Sequence, residues 1–167
     1  MRILAIDPAV RNTGYALLEG DQHKQQVIDY GVISIPAKLP QSAALAAVKT
    51  GLTNLITQYE PEEVAVEAII YVQSVRTAIS MGAARAASMI AAAESGLPIY
   101  EYAPKKVKKA VVGNGNADKA QVAFMIRALL GLSETPAHDA ADALAVAMAH
   151  LSASDPLKAQ LLDRKKI

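Results

Sequence analysis

Several residue types are rare or absent in this chain, and each absence excludes a class of protein. The 167 residues include no Cys, no Trp and a single Phe. Without Cys there is no disulfide framework, no thiolate zinc site and no cysteine nucleophile, which fits a reducing compartment. No charge-free apolar segment reaches the roughly 20 residues of a membrane-spanning helix. We therefore expect a soluble, cytoplasmic protein with a single folded domain.

The spacing of apolar residues predicts an α/β domain. Strands are expected at 3–7, from 15, at 27–35, 63–67 and 98–102, and helices at 42–59, 75–94, 104–112, 117–130 and 136–152. Asn116 is the predicted N-cap of the helix at 117–130, and Thr135 with Pro136 the predicted start of the last helix. This order indicates a mixed five-stranded sheet flanked by helices over residues 1–152, followed by a basic, flexible tail at 153–167 that frays from Asp155.

Four carboxylates interrupt segments that otherwise read as buried core. Asp7 ends the first strand, Glu67 ends the strand at 63–67, and Asp139 and Asp142 open an apolar helix. Each has an ordinary explanation when taken alone: a turn residue before Pro8, surface placement on an edge strand, or stabilisation by the helix dipole. A buried carboxylate, however, costs several kcal/mol unless a cation compensates its charge.

The placement of these carboxylates predicts one shared cation site. Asp7 and Glu67 lie at carboxyl ends of strands, which is the edge where open α/β sheets bind ligands. Asp139 and Asp142 are three residues apart and share a helix face. A ligand set made of oxygen atoms alone favours Mg²⁺ or Mn²⁺.

Basic residues are concentrated in one segment near these carboxylates. Four lysines fall within five positions and Lys119 follows; the four are Lys105, Lys106, Lys108 and Lys109. A solvated helix face would explain any one of them. As a group beside a carboxylate site, they are expected to meet phosphates. A second basic cluster, Arg164 to Lys166, closes the chain.

Four segments resemble the signature segments of the RuvC family of Holliday junction resolvases. They are residues 6–15, 66–67, 111–119 and 139–145, and the resemblance runs from Met1 to about His150. The resemblance implies a ribonuclease H-like fold, a homodimer and a magnesium-dependent endonuclease that nicks two opposed strands of a four-way DNA junction. It also implies two Mg²⁺ ions in each active site, with Mn²⁺ able to substitute, and a RuvA–RuvB branch-migration complex as partner.

Site residues carry over from the family where this sequence matches its motifs. Asp7, Glu67, Asp139 and Asp142 match the catalytic, metal-binding carboxylates, whereas Lys108 and Lys119 match basic positions near the DNA and the scissile phosphate. Further candidate DNA contacts are Lys105, Lys106, Lys109, Arg76, Arg85 and Tyr71.

Two positions depart from the family pattern. Ala9 and Val10 stand where the family commonly has Gly and Ser. The family often places a junction-wedging aromatic residue three positions after the Glu; here Ile70 takes that position and Tyr71 comes next.

The helix predicted at 75–94 has small or apolar residues nearly all round its circumference. Such a helix is covered on more than one side. One side is expected to lie on the sheet. The other side meets either its own copy in a two-fold dimer or flanking helices of the same chain.

Three other functions are compatible with parts of this pattern. A related ribonuclease H-like nuclease acting on other structured DNA, RNA or ordinary duplex would use the same carboxylates. The sugar-kinase and actin family shares a similar first strand and loop, but it needs two such domains and this chain is too short. A junction-binding module without activity would be expected to lack at least one carboxylate, and all four are present.

Overall fold

The computed structural model describes residues 1–70 and 72–167. Its strands are β1 (Arg2–Asp7), β2 (Asn12–Gly20), β3 (Gln25–Ser34), β4 (Glu63–Glu67), β5 (Ile99–Tyr102) and β6 (Lys165–Lys166). Its helices are α1 (Gln41–Tyr59), α2 (Val75–Glu94), α3 (Pro104–Val112), α4 (Lys119–Leu130), α5 (His138–Ser152) and α6 (Pro156–Leu162).

The strands form one mixed sheet in the order β3-β2-β1-β4-β5-β6. β1 runs parallel to β4, and β4 parallel to β5, whereas the pairs β1–β2, β2–β3 and β5–β6 are antiparallel. The mixed α/β architecture is as predicted. The strand count was wrong, because residues 1–70 and 72–167 form a sheet of six strands where the sequence predicted five.

The central strand β1 is buried on both faces, as its unbroken apolar run predicted. Ile3 and Ala5 belong to a core cluster packed against α3, α4 and α5, whereas Leu4 and Ile6 belong to a second cluster packed against α1 and α2. This division follows from the strand geometry, since successive side chains point to opposite faces. No helix within residues 1–70 and 72–167 is long and apolar enough to cross a membrane.

The C-terminal segment has regular structure where the sequence predicted a frayed end. The Asp155 carboxylate accepts hydrogen bonds from the N–H groups of Leu157 and Lys158 and so caps α6, with Pro156 in the first turn. An Asp followed by Pro favours the start of a helix, because Asp caps the first N–H groups and Pro suits the first turn. Leu162 is buried in the main core, and β6 adds a strand to the sheet beside β5.

Two predicted helix starts were wrong. α4 begins after Asp118 rather than after Asn116, because the Asp118 carboxylate and the Gln121 side chain each accept a hydrogen bond from the other's backbone N–H. α5 begins at His138 rather than Pro136, and its N-cap residue, Ala137, makes no side-chain cap. The first bond of α5 runs from Ala141 N–H to the Ala137 carbonyl.

Candidate active site

Two neighbouring parallel strands each end in a carboxylate at the same edge of the sheet. In the β1–β4 ladder, Ile6 lies opposite Val66, and the next residues are Asp7 and Glu67. Both carboxylate residues are partly buried. The parallel pairing therefore brings Asp7 and Glu67 side by side, as the sequence predicted.

The start of α5 is held against this edge by a close approach at Gly14. Gly14 lies opposite Asp7 in the β1–β2 ladder. A Cβ atom at Gly14 would lie 2.0 Å from the carbonyl oxygen of Asp139. The absent side chain therefore lets the start of α5, with Asp139 in its first turn and Asp142 in the next, lie against β2 directly beside Asp7.

The four carboxylates influence one another electrostatically. Burial raises the pKa of Asp7 to about 8, with further increases from Glu67, Asp142 and Asp139. Burial and then Asp142 raise the pKa of Glu67 to about 7. The pKa of Asp142 is also raised, mainly by burial. Ionising this cluster without a cation is therefore unfavourable, which is the electrostatic condition of a metal site.

Two lysines accompany the carboxylates. Lys119 Nζ lies 3.5 Å from Asp142 Oδ2, and this pair raises the Lys119 pKa. Lys108 Nζ donates a 3.0 Å hydrogen bond to the Ala117 carbonyl, and its charge lowers the pKa values of Glu67 and Asp142, against the stronger effect of burial. Both lysines thus lie within electrostatic reach of the carboxylates, near the turn between α3 and α4.

The arrangement is an open cluster of oxygen ligands. Among the described residues, no group of three acidic, His or Cys side chains is close enough to enclose a metal ion unaided, although neighbouring carboxylates raise the pKa values of Asp7 and Glu67. Mg²⁺ in enzymes commonly keeps several waters and takes substrate phosphate oxygens beside one or two carboxylates. A donor set made of carboxylate oxygens alone fits that ion.

The other predicted DNA contacts have different surroundings. Arg76 and Lys105 are exposed, in α2 and α3 respectively. Lys106 forms a 3.2 Å ion pair with Asp163, and Lys109 lines a groove beside α6. The structure therefore does not bring Lys106 or Lys109 to the carboxylates.

The segment after Glu67 contains the position of the family's wedging aromatic residue. Ile70 is 68 % exposed. Tyr71, the other candidate, lies outside the described residues. An apolar side chain thus projects into solvent three residues beyond Glu67.

Arg85 supports the site instead of reaching outward to DNA. Its guanidinium donates a 3.0 Å hydrogen bond to the Glu67 carbonyl and also pairs with the Glu101 carboxylate. The prediction of Arg85 as a free DNA contact is therefore corrected. Its position as the only charged residue between 77 and 93 was a signal that it has an internal partner.

Comparisons with known proteins identify the family that this chain is similar to. The family model described as crossover junction endodeoxyribonuclease RuvC matches residues 3–150. A crossover junction endodeoxyribonuclease RuvC of Akkermansia muciniphila is 62 % identical over the whole of both chains. One of Magnetococcus marinus is 44 % identical over 91 % of this chain and 84 % of its own.

A solved structure is similar to this chain over almost its entire length. Thermus thermophilus RuvC in complex with Holliday junction substrate matches with a TM-score of 0.87 and 29 % identity, covering 100 % of this chain and 99 % of that one. This similarity confirms the predicted ribonuclease H-like fold. Together with the family match and the 62 % identical relative, it shows that this chain belongs to the RuvC family of crossover junction endodeoxyribonucleases.

Proposed function

We propose that this protein resolves four-way DNA junctions by divalent-metal-dependent hydrolysis, acting as a two-fold dimer with one active site in each subunit. The observation that carries the proposal is the open cluster of four carboxylates at the end of β1 and β4, accompanied by two lysines. The solved complex of the Thermus relative with a Holliday junction substrate supports a junction as the DNA that meets this cluster.

Asp7, Glu67, Asp139 and Asp142 would hold Mg²⁺, or Mn²⁺ in its place. When bound, such ions supply an activated water and stabilise charge on the attacking and leaving oxygens of an in-line displacement. The carboxylates' own part is to concentrate negative charge in a partly buried site that a cation neutralises.

The lysines have separate roles in the proposed reaction. The Lys119 side chain is 62 % exposed although its ammonium lies beside Asp142. It is therefore free to turn towards a phosphate oxygen and stabilise charge that develops in the transition state. Lys108 is fixed by the Ala117 carbonyl, so it presents a positioned charge to the DNA backbone near Glu67.

The outer face of α2 supports a dimer. Val75, Ile79 and Ile90 are 77 %, 65 % and 49 % exposed, and Ala86 is exposed between them. Flanking helices of the same chain therefore leave this face open. A stripe of apolar and small residues on one helix suits a two-fold contact with a second copy. Two sites related by two-fold symmetry match the two symmetric nicks that resolution requires.

The proposal is tested with labelled synthetic four-way junctions, linear duplex and RNA hairpins in the presence and absence of Mg²⁺. We expect paired cuts in the four-way junction and no cutting of the duplex or the RNA hairpins. The cuts should require Mg²⁺. Preferential cutting of duplex or RNA would instead support a ribonuclease H-like nuclease with another substrate. A RuvA–RuvB partner complex and a cytoplasmic location stay predictions from the family resemblance.

Single substitutions test the shared carboxylate site. Asp7→Asn, Glu67→Gln, Asp139→Asn and Asp142→Asn should each abolish cleavage and leave junction binding largely intact, because the amide keeps the shape of the side chain without its charge. Gel mobility and cleavage are measured on the same samples. Near-normal cutting by any two of these variants would contradict a shared site.

A further inference from the structure

A groove on the far side of α3 combines an apolar floor with a basic rim. α3, α6 and the end of α5 surround a cavity of about 340 Å³. Its lining includes three apolar residues, Ala110, Leu161 and Leu162, which we call the floor, and three lysines, Lys106, Lys109 and Lys158, which we call the rim. We call this the α3–α6 groove. Leu161 is 70 % exposed, whereas Leu162 is buried, so the floor is anchored in the core but open to a ligand.

The α3–α6 groove is separate from the carboxylate site. Successive residues of an α-helix are rotated by about 100°, so Lys109 lies about 100° and Lys106 about 200° round α3 from Lys108. Lys108 interacts with the carboxylates, whereas Lys106 pairs with Asp163 just beyond α6. One face of α3 therefore lies towards the carboxylate site, and another face lines the α3–α6 groove.

The rim has an excess of positive charge, and one of its lysines already holds a carboxylate. Lys106 Nζ lies 3.2 Å from Asp163 Oδ2, whose side chain is 80 % exposed. An ion pair this exposed exchanges partners at little cost. Asp155, at the start of α6, is occupied in capping that helix. Lys109 and Lys158 add two more positive charges at the rim.

We propose that the α3–α6 groove binds a short acidic segment of a partner protein, in which several carboxylates adjoin one or two large apolar side chains. The carboxylates would meet the three rim lysines, and the apolar side chain would cover Leu161 and Ala110. A DNA backbone fits the same surface less well, since phosphates use the rim and leave the apolar floor exposed. This proposal does not depend on the nuclease function.

Binding is measured by fluorescence anisotropy with the full chain and a fluorescein-labelled hexapeptide of four aspartates followed by leucine and phenylalanine. We expect saturable binding with a Kd on the order of tens of micromolar. A control hexapeptide of four aspartates followed by two alanines should bind at least about tenfold more weakly, because it lacks the apolar anchor. Equal binding of the two peptides would mean that charge attraction alone explains the contact, and it would overturn the proposal. Failure of the peptide that carries leucine and phenylalanine to bind would overturn it as well.

Two matched pairs of variants locate the contact. Leu161→Asp should weaken binding of the first peptide by about tenfold or more, whereas Leu157→Asp should leave it unchanged, because Leu157 is equally exposed on α6 but does not line the groove. Lys158→Glu should weaken binding about fivefold, and Lys38→Glu, an equal charge change at an exposed loop residue, should not. All four positions are exposed, and melting curves check that each variant is folded.

Two other occupants give distinct results. If junction DNA displaces the peptide and Lys158→Glu weakens junction binding more than peptide binding, the groove is a DNA surface and the proposal fails. If Leu161→Asp changes the sedimentation of the protein while Leu157→Asp does not, the groove is a contact between copies of this chain, and the proposal also fails. Peptide binding is measured independently of cleavage, so loss of junction cleavage in the carboxylate variants does not affect these results.

Discussion

Asp7 should destabilise the metal-free protein in a pH-dependent way. Burial and the neighbouring carboxylates raise its pKa from 3.8 to about 8 in the folded state. The folded protein therefore retains a proton that the unfolded chain has already lost between pH about 4 and pH about 8. It follows that stability is highest below the unfolded pKa and falls as the pH rises through this window.

Replacing Asp7 with Asn should remove part of this cost. A pKa raised from 3.8 to about 8 corresponds to a penalty on the order of 5 kcal/mol above pH 8. Glu67 and Asp142 still repel each other after the substitution, so we expect a gain of ~1–3 kcal/mol at pH 8. In a domain of this size that gain raises the Tm by roughly 3–10 °C. The gain should be much smaller at pH 5, where folded Asp7 is protonated.

Thermal unfolding with a chelator present, followed at pH 5, 6.5 and 8, measures this difference. Asp21→Asn is the control. Asp21 is exposed, and backbone hydrogen bonds from Lys24 and His23 lower its pKa in the folded protein. Asp21 is therefore ionised from pH 5 to pH 8 in both the folded and the unfolded protein. Adding Mg²⁺ at pH 8 should then stabilise the wild-type protein more than Asp7→Asn. A Tm for Asp7→Asn below that of the wild type at pH 8, or an equal gain at pH 5 and pH 8, would refute the reasoning.

Three further substitutions test the supports of the site. Gly14→Ala should lower the rate of junction cleavage and the Tm, because its Cβ would meet the Asp139 carbonyl at 2.0 Å; Gly51→Ala, which meets only a movable Ile33 side chain, should lower neither. Lys119→Ala should reduce the single-turnover cleavage rate on the order of 100-fold with a much smaller change in junction affinity. Ala86→Glu should give monomers in sedimentation and slow single nicks, and an unchanged dimer would contradict the proposed interface.

The features that determine the site could be predicted from the sequence because they are local patterns. An apolar run that ends in an acid marks the end of a buried strand, which gave Asp7 and Glu67. Two acids three residues apart share a helix face, which gave Asp139 and Asp142. None of these inferences requires knowledge of which distant residues meet.

The last strand was missed because its pairing depends on distant residues. β6 is two residues long and shows no pattern of its own. It follows Arg164, which donates a 2.8 Å hydrogen bond to Glu63 and lies 4.0 Å above the Tyr100 ring. Glu63 in turn contacts the buried His150. This network joins β4, β5, α5 and the C-terminus. The spacing of apolar residues in the sequence does not predict these contacts.

The same reasoning explains why the supporting roles of two residues were not anticipated. Gly14 matters because the backbone of α5 comes close, and Arg85 matters because it ties the Glu67 carbonyl to Glu101. Neither residue is a carboxylate that could bind a metal ion or a lysine beside the carboxylates. Arg85 also lies on α2, about 100° round the helix from Ala86 in the apolar stripe of the proposed dimer. A second copy bound to that stripe would therefore restrain the helix that holds the end of β4, which links assembly of the dimer to the position of Glu67.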